Sequence, residues 1–80
     1  MEKLTIVYHR LQVLYDTVED IKADLVEKQA VIEENANTYY RDLTENEQER
    51  WDTLYEMILA LLDCQENIQS AQYDIERYCN

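Results

Sequence analysis

Asn35-Ala36-Asn37-Thr38-Tyr39-Tyr40-Arg41-Asp42-Leu43, followed at once by Thr44-Glu45-Asn46-Glu47, is the stretch on which the reading of this chain turns. It is polar, and its Asn and Thr side chains compete with the backbone for hydrogen bonds, which favours turns over helix. Thr44 with Glu47 three residues later reads as a capping box, in which the hydroxyl and the carboxylate each take one of the free amides at a helix start. Glu45, Glu47 and Glu49 place negative charge at the positive end of the helix dipole, and Arg77 lies near its negative end. The pattern predicts a helix over about 3–36, a reversal within 36–43 and a helix over about 45–78.

On both sides of this stretch the apolar residues recur with helical spacing. Leu4, Leu11, Val18, Leu25 and Ile32 repeat every seventh residue, and Val7, Leu14 and Ile21 follow the first three of them by three. Alternating three-four spacing is that of a helix seam packed on another helix. The second series turns polar at Lys28 and Asn35, and Asp24 with Lys28 forms a favourable i,i+4 charge pair. In the second half Leu54, Met57, Leu61, Cys64, Ile68, Ala71, Ile75 and Tyr78 alternate by three and four without a gap. Two helices of about 33 residues would run roughly 50 Å, and a short connection makes them antiparallel neighbours. The competing arrangement is three helices, with a break near Asp16-Thr17.

Composition narrows the fold class in the same direction. The 80 residues contain no Gly and no Pro, which argues against tight hairpins, bulges and Gly-rich phosphate loops. A chain this short is expected to be one helical domain, residues 1–80, with a marginal core of its own. Some apolar residues fall outside the expected seam. Trp51, Tyr55, Ile58 and Leu62 form a second stripe with Leu59 beside it, and Ile6 and Val13 lie on the far side of the first helix. Such surface needs a cover, and self-association is the least demanding one. The expected fold is therefore all-α: a long antiparallel two-helix hairpin dimerising into a four-helix bundle, with Ile58, Leu59 and Leu62 at the dimer interface.

The net charge of −11 disfavours direct contact with nucleic acid or an anionic membrane and suits a basic protein surface. No signal peptide is legible in Met1–Arg10, and the longest apolar run, Met57–Leu62, is far shorter than a membrane span. Cys64 and Cys79 make no disulfide framework. Roughly 22 Å of helix would separate them, so a reducing, cytoplasmic setting is expected, with Cys64 buried in the seam.

The residues give little purchase for catalysis. His9 is the single histidine, with no Glu-x-x-His pair and no cysteine near it in sequence, so no metal and no cofactor is expected. No nucleophile elbow, Gly-x-Gly or calcium loop is present, and a two-helix hairpin offers no pocket to shift a carboxylate pKa. The chain is read as a non-enzyme. Its carboxylates are ordered, however. Glu45, Glu49, Asp52, Glu56, Asp63 and Glu66 keep helical spacing along one side of the second helix, and Asp16, Glu19, Asp20, Asp24, Glu27 and Glu34 do much the same in the first. Outward heptad positions carry charge in any case, but such rows can also present carboxylates at intervals like those of phosphates. Seven Tyr, one Trp and no Phe is an aromatic set suited to binding hot spots, with Tyr39 and Tyr40 together at the reversal.

From Ile21 to Arg77 the order is helix, polar turn, Glu47-Gln48-Glu49-Arg50, and then Ile68, Ala71 and Ile75. This resembles short acidic helical-hairpin proteins of phages and bacterial mobile elements, among which are anti-CRISPR and antirestriction proteins, several of them occupying nucleic-acid-binding surfaces of host nucleases. The resemblance implies an inhibitor acting as a DNA mimic in the cytoplasm of a bacterial host. The residues expected to meet the partner are Tyr39, Tyr40, Glu45, Glu49, Trp51, Asp52, Tyr55 and Glu56. The alternative is a structural or assembly protein forming a homodimeric bundle.

Overall fold

The computed structural model describes residues 2–79, and they form two antiparallel helices, α1 (Glu2–Thr38) and α2 (Glu45–Cys79). The rod they make measures 58 × 15 × 15 Å. Helix α1 runs unbroken through Asp16 and Thr17, so the three-helix alternative does not arise. The Thr17 hydroxyl donates to the carbonyl of Val13 one turn back (2.9 Å), which accommodates a turn-favouring residue inside a helix. Asn35 and Asn37 stay helical as well, and the connection falls at residues 39–44. No helix among the described residues is long and apolar enough to cross a membrane.

Both ends of the connection are closed by specific hydrogen bonds. At the end of α1 the amide of Arg41 donates to the carbonyl of Ala36 and that of Tyr40 to Asn37, each at 3.1 Å. This pair of bonds is the Schellman motif, and it requires a left-handed residue at Tyr40, whose φ is 51°. At the start of α2 the capping box forms as its sequence predicts. The amide of Glu47 donates to the Thr44 hydroxyl (3.2 Å), and the amide of Thr44 donates to the Glu47 carboxylate (2.9 Å).

The seam differs from the sequence expectation in one of its two rows. Leu4, Leu11, Val18, Leu25 and Ile32 face α2, and Leu54, Leu61, Ile68 and Ile75 face α1, all buried or half-buried as expected. The second inward row of α1 is Tyr8, Tyr15, Lys22, Gln29 and Ala36, and that of α2 is Trp51, Ile58, Gln65 and Gln72. Val7, Leu14, Ile21, Met57, Cys64 and Tyr78, expected in the seam, are exposed. Ala71 is half-buried at the margin.

The reason is chemical. The glutamines of the inward row bond across the seam and so do not bear an uncompensated desolvation cost. Gln65, 3% exposed, donates its carboxamide to the carbonyl of Tyr15 (3.3 Å) and to the Glu19 carboxylate (2.8 Å). One heptad later Gln72 repeats the device, donating to the carbonyl of Tyr8 (3.3 Å) and the Gln12 side chain (3.1 Å). From the other helix Gln29 donates to the carbonyl of Trp51 (3.3 Å). Lys22 lays its stem in the seam and carries its ammonium out to Glu19 (3.1 Å). Among the described residues no buried side-chain nitrogen or oxygen lacks a partner.

Candidate functional site

Three surfaces follow from which rows face inward. Along the outer side of α2, Glu45, Glu49, Asp52, Glu56, Asp63 and Glu66 are all exposed. Twenty-one residues of helix between the first and last put them on a ridge roughly 32 Å long. Ion pairs among the described residues are Lys22–Glu19, Arg41–Glu47 and Arg77–Asp74, and none draws on the ridge. Asp52 accepts a hydrogen bond from Gln48 (2.9 Å), and Leu59, exposed, lies among the acids. The acidic series of α1 is exposed too, and Glu19 and Lys22 are joined by the ion pair above. The Glu19 carboxyl is held below the usual range chiefly by its hydrogen bond from Gln65, with Lys22 adding to it. Asp24 and Lys28 do not form the ion pair that their spacing suggests.

At the closed end of the rod the ridge meets the two tip tyrosines. Tyr40 is 98% exposed and Tyr39 71%. The Arg41 guanidinium stands 6.0 Å from the centre of the Tyr39 ring, within cation–π reach. It also bonds both oxygens of Glu47, one of them at 3.1 Å. That bidentate pair, with the amide of Thr44, pulls the Glu47 carboxyl down to about 2. The tip is thus a braced presentation of two exposed rings rather than a loose loop.

Trp51 and Tyr55 stand differently from Tyr39 and Tyr40. Trp51 is half-buried against α1, and its indole N–H donates to Glu33 (2.9 Å). Tyr55 stacks on it at 5.5 Å with the rings nearly parallel and remains half open to solvent. Trp51 holds the helices together as much as it offers surface, and Tyr55 leans on it. Ile58, Leu59 and Leu62 do not share a face: Ile58 is half-buried toward α1, while Leu59 and Leu62 point outward in different directions.

The second surface is the flank carrying Val7, Leu14 and Ile21 on α1 and Met57, Cys64 and Tyr78 on α2, all exposed. The third feature was not legible in the sequence. Lys28, Val31, Ile32, Asn46, Glu49, Arg50, Thr53 and Leu54 line an open groove of about 760 Å³ between the helices. Among the described residues neither Lys28 nor Arg50 has an ion-pair partner there. His9 is exposed and meets the edge of Tyr8 (5.9 Å between ring centres). Both cysteines are free and exposed, Cys64 against expectation, because the inward row at its level is filled by Gln65. Among the described residues no three His, Cys, Asp or Glu side chains are grouped to hold a metal ion.

No protein-family model, curated protein or solved structure matches the chain.

Proposed function

We propose that this chain is a non-catalytic inhibitor or modulator, of phage or mobile-element origin, that binds a basic, nucleic-acid-binding surface of a bacterial host defence protein. One observation carries the reading: six exposed carboxylates of α2 stand in a row with no cation among the described residues paired to them. Intramolecular pairing would have satisfied them; unpaired, they project a field that attracts and orients a basic partner. Tyr39 and Tyr40, exposed on a braced tip at the end of the same ridge, supply the aromatic anchors. Tyr55 extends that aromatic surface, and Trp51 supports it from beneath.

The ridge is not a full substitute for a duplex. It carries one carboxylate per about 6 Å, against one phosphate charge per about 1.7 Å of DNA. It therefore competes over a short basic patch, with the tyrosines adding affinity that charge alone does not supply. The test is capture of the partner from bacterial lysate at low and physiological salt, followed by measured affinity. Changing Glu45, Glu49, Asp52 and Glu56 together to Lys should abolish binding and leave helicity intact. Tyr39→Ala with Tyr40→Ala should instead speed dissociation, since anchors act mainly on the off-rate. Unchanged affinity and unchanged salt slope in the charge-reversed protein would refute the proposal.

A further inference from the structure

Each helix keeps a third apolar row that the hairpin does not use, and both rows lie on one side of the molecule. On α1 it is Val7, Leu14 and Ile21, and on α2 it is Met57, Cys64 and Tyr78. Two observations place them together. The groove lined by both Lys28 and Arg50 joins the next heptad positions of the two rows, one step beyond Ile21 and one step before Met57. The side-chain bonds that clasp the helices use Gln12, Glu19, Glu33 and Glu76, which occupy the opposite flank.

A helix that packs on one neighbour needs two inward rows, whereas a helix in a four-helix bundle carries three. The exposed area points the same way. A compact 9.7 kDa monomer would expose about 5,100 Å², whereas this chain exposes 6381 Å². The excess, spread over the whole rod, exceeds the roughly 800 Å² that each partner contributes to a stable interface, so the rod has that much surface to bury.

We infer that this flank is the interface for a second copy of the chain, and that two hairpins close over it into a four-helix bundle. None of its six residues is acidic or basic in type, so nothing on it selects a basic partner, and an identical flank is its match in length and chemistry. The acidic ridge lies on the outer side of α2 and stays open in the pair. The interface is therefore independent of the ridge's proposed partner, and salt separates the two. Screening relieves repulsion between two chains of −11 and strengthens the dimer, while it weakens capture of a basic partner.

Light scattering on a size-exclusion column, with circular dichroism, tests the inference. The chain should be a dimer at micromolar concentration, and Leu14→Glu with Ile21→Glu should make a helical monomer. Val13→Glu, on the far side of α1, should leave the dimer intact. In a Cys79→Ser background Cys64 alkylation should slow by about tenfold or more as protein concentration rises through the dimerisation range, because only the monomer exposes that thiol. A wild-type monomer at all concentrations, or a dimer that survives the double substitution, overturns the inference. Should the double variant fail to fold, a concentration-independent Cys64 rate overturns it equally.

Discussion

Tyr40 holds a backbone conformation, φ 51°, that glycine usually supplies at a helix C-terminus. An L-residue with a Cβ there costs about 1–2 kcal/mol. The ring is 98% exposed, so burial of the side chain does not offset that cost. Tyr40→Gly should therefore raise stability by about 1 kcal/mol in a denaturant or thermal melt. If the tip is a binding anchor the same change should weaken partner capture, an opposition that a merely structural tyrosine would not show. Glu47 gives a second test at this scale. Its carboxyl lies at about 2 against an ordinary 4.5, because Arg41 and the amide of Thr44 stabilise the charged form. The folded value is the lower one, so the stabilisation is fully present above pH 4.5 and is lost as pH falls toward about 2. Elsewhere acid relieves repulsion in a chain of −11, so the effect has to be read locally. The Glu47 carboxyl should titrate near 2 by NMR, and fraying of the Thr44 amide should track it. Glu47→Gln, which retains the cap, should remove that titration. A midpoint near 4.5 in the wild type would show that the Arg41 pair is not populated.

At the scale of the helices, what was legible depended on whether a signal was local. The capping box at Thr44 and Glu47 needs only three residues of sequence, and it forms as read. The row from Leu4 to Ile32 is apolar throughout, so its inward direction was plain. The second row was not, because apolar character alone favours Val7, Leu14, Ile21, Met57 and Cys64 over Tyr8, Lys22, Gln29, Gln65 and Gln72. What decides between them is bonding across the seam to carbonyls 22 to 64 residues away, which no local pattern displays. The misplacement of Cys64, and the two rows left open on the flank, both follow from that one choice. The glutamines also have a specifying role, since a carboxamide that must meet a given carbonyl fixes register and antiparallel alignment at some expense in stability. Gln65→Leu with Gln72→Leu should raise stability by about 1 kcal/mol per site, read as a higher melting temperature, because Glu19 and Gln12 are exposed and regain water. The variant should also populate additional registers or oligomers, seen as doubled amide resonances or higher mass in light scattering. A large loss of stability would show instead that the bonds outweigh the desolvation of the carboxamides.

The whole molecule is a rod of 58 × 15 × 15 Å carrying −11, with a different character on each side. The outer side of α2 holds the acidic ridge, one flank is apolar, and the other is knitted by Tyr8–Glu76, Gln12–Gln72, Glu19–Gln65 and Trp51–Glu33. Charge at this density makes salt act in two directions. Raising ionic strength from about 0.01 to 0.15 M shortens the Debye length from about 30 to 8 Å, so it should raise the hairpin's melting temperature by easing self-repulsion. Over the same range affinity for a basic partner should fall. A melting temperature that drops with salt would mean that ion pairs, not repulsion, dominate the folded state. Every surface described above depends on Gln65 and Gln72 facing α1, so the most direct test is to watch those two side chains. In an isotope-edited NOE spectrum of the dilute monomeric chain, the Gln65 carboxamide protons should contact Tyr15 and Glu19, those of Gln72 should contact Tyr8 and Gln12, and both should exchange slowly with water. Fast exchange, with no contact from either carboxamide to α1 and with Cys64 and Met57 meeting Leu14 and Ile21 in their place, would contradict the seam and the faces built on it.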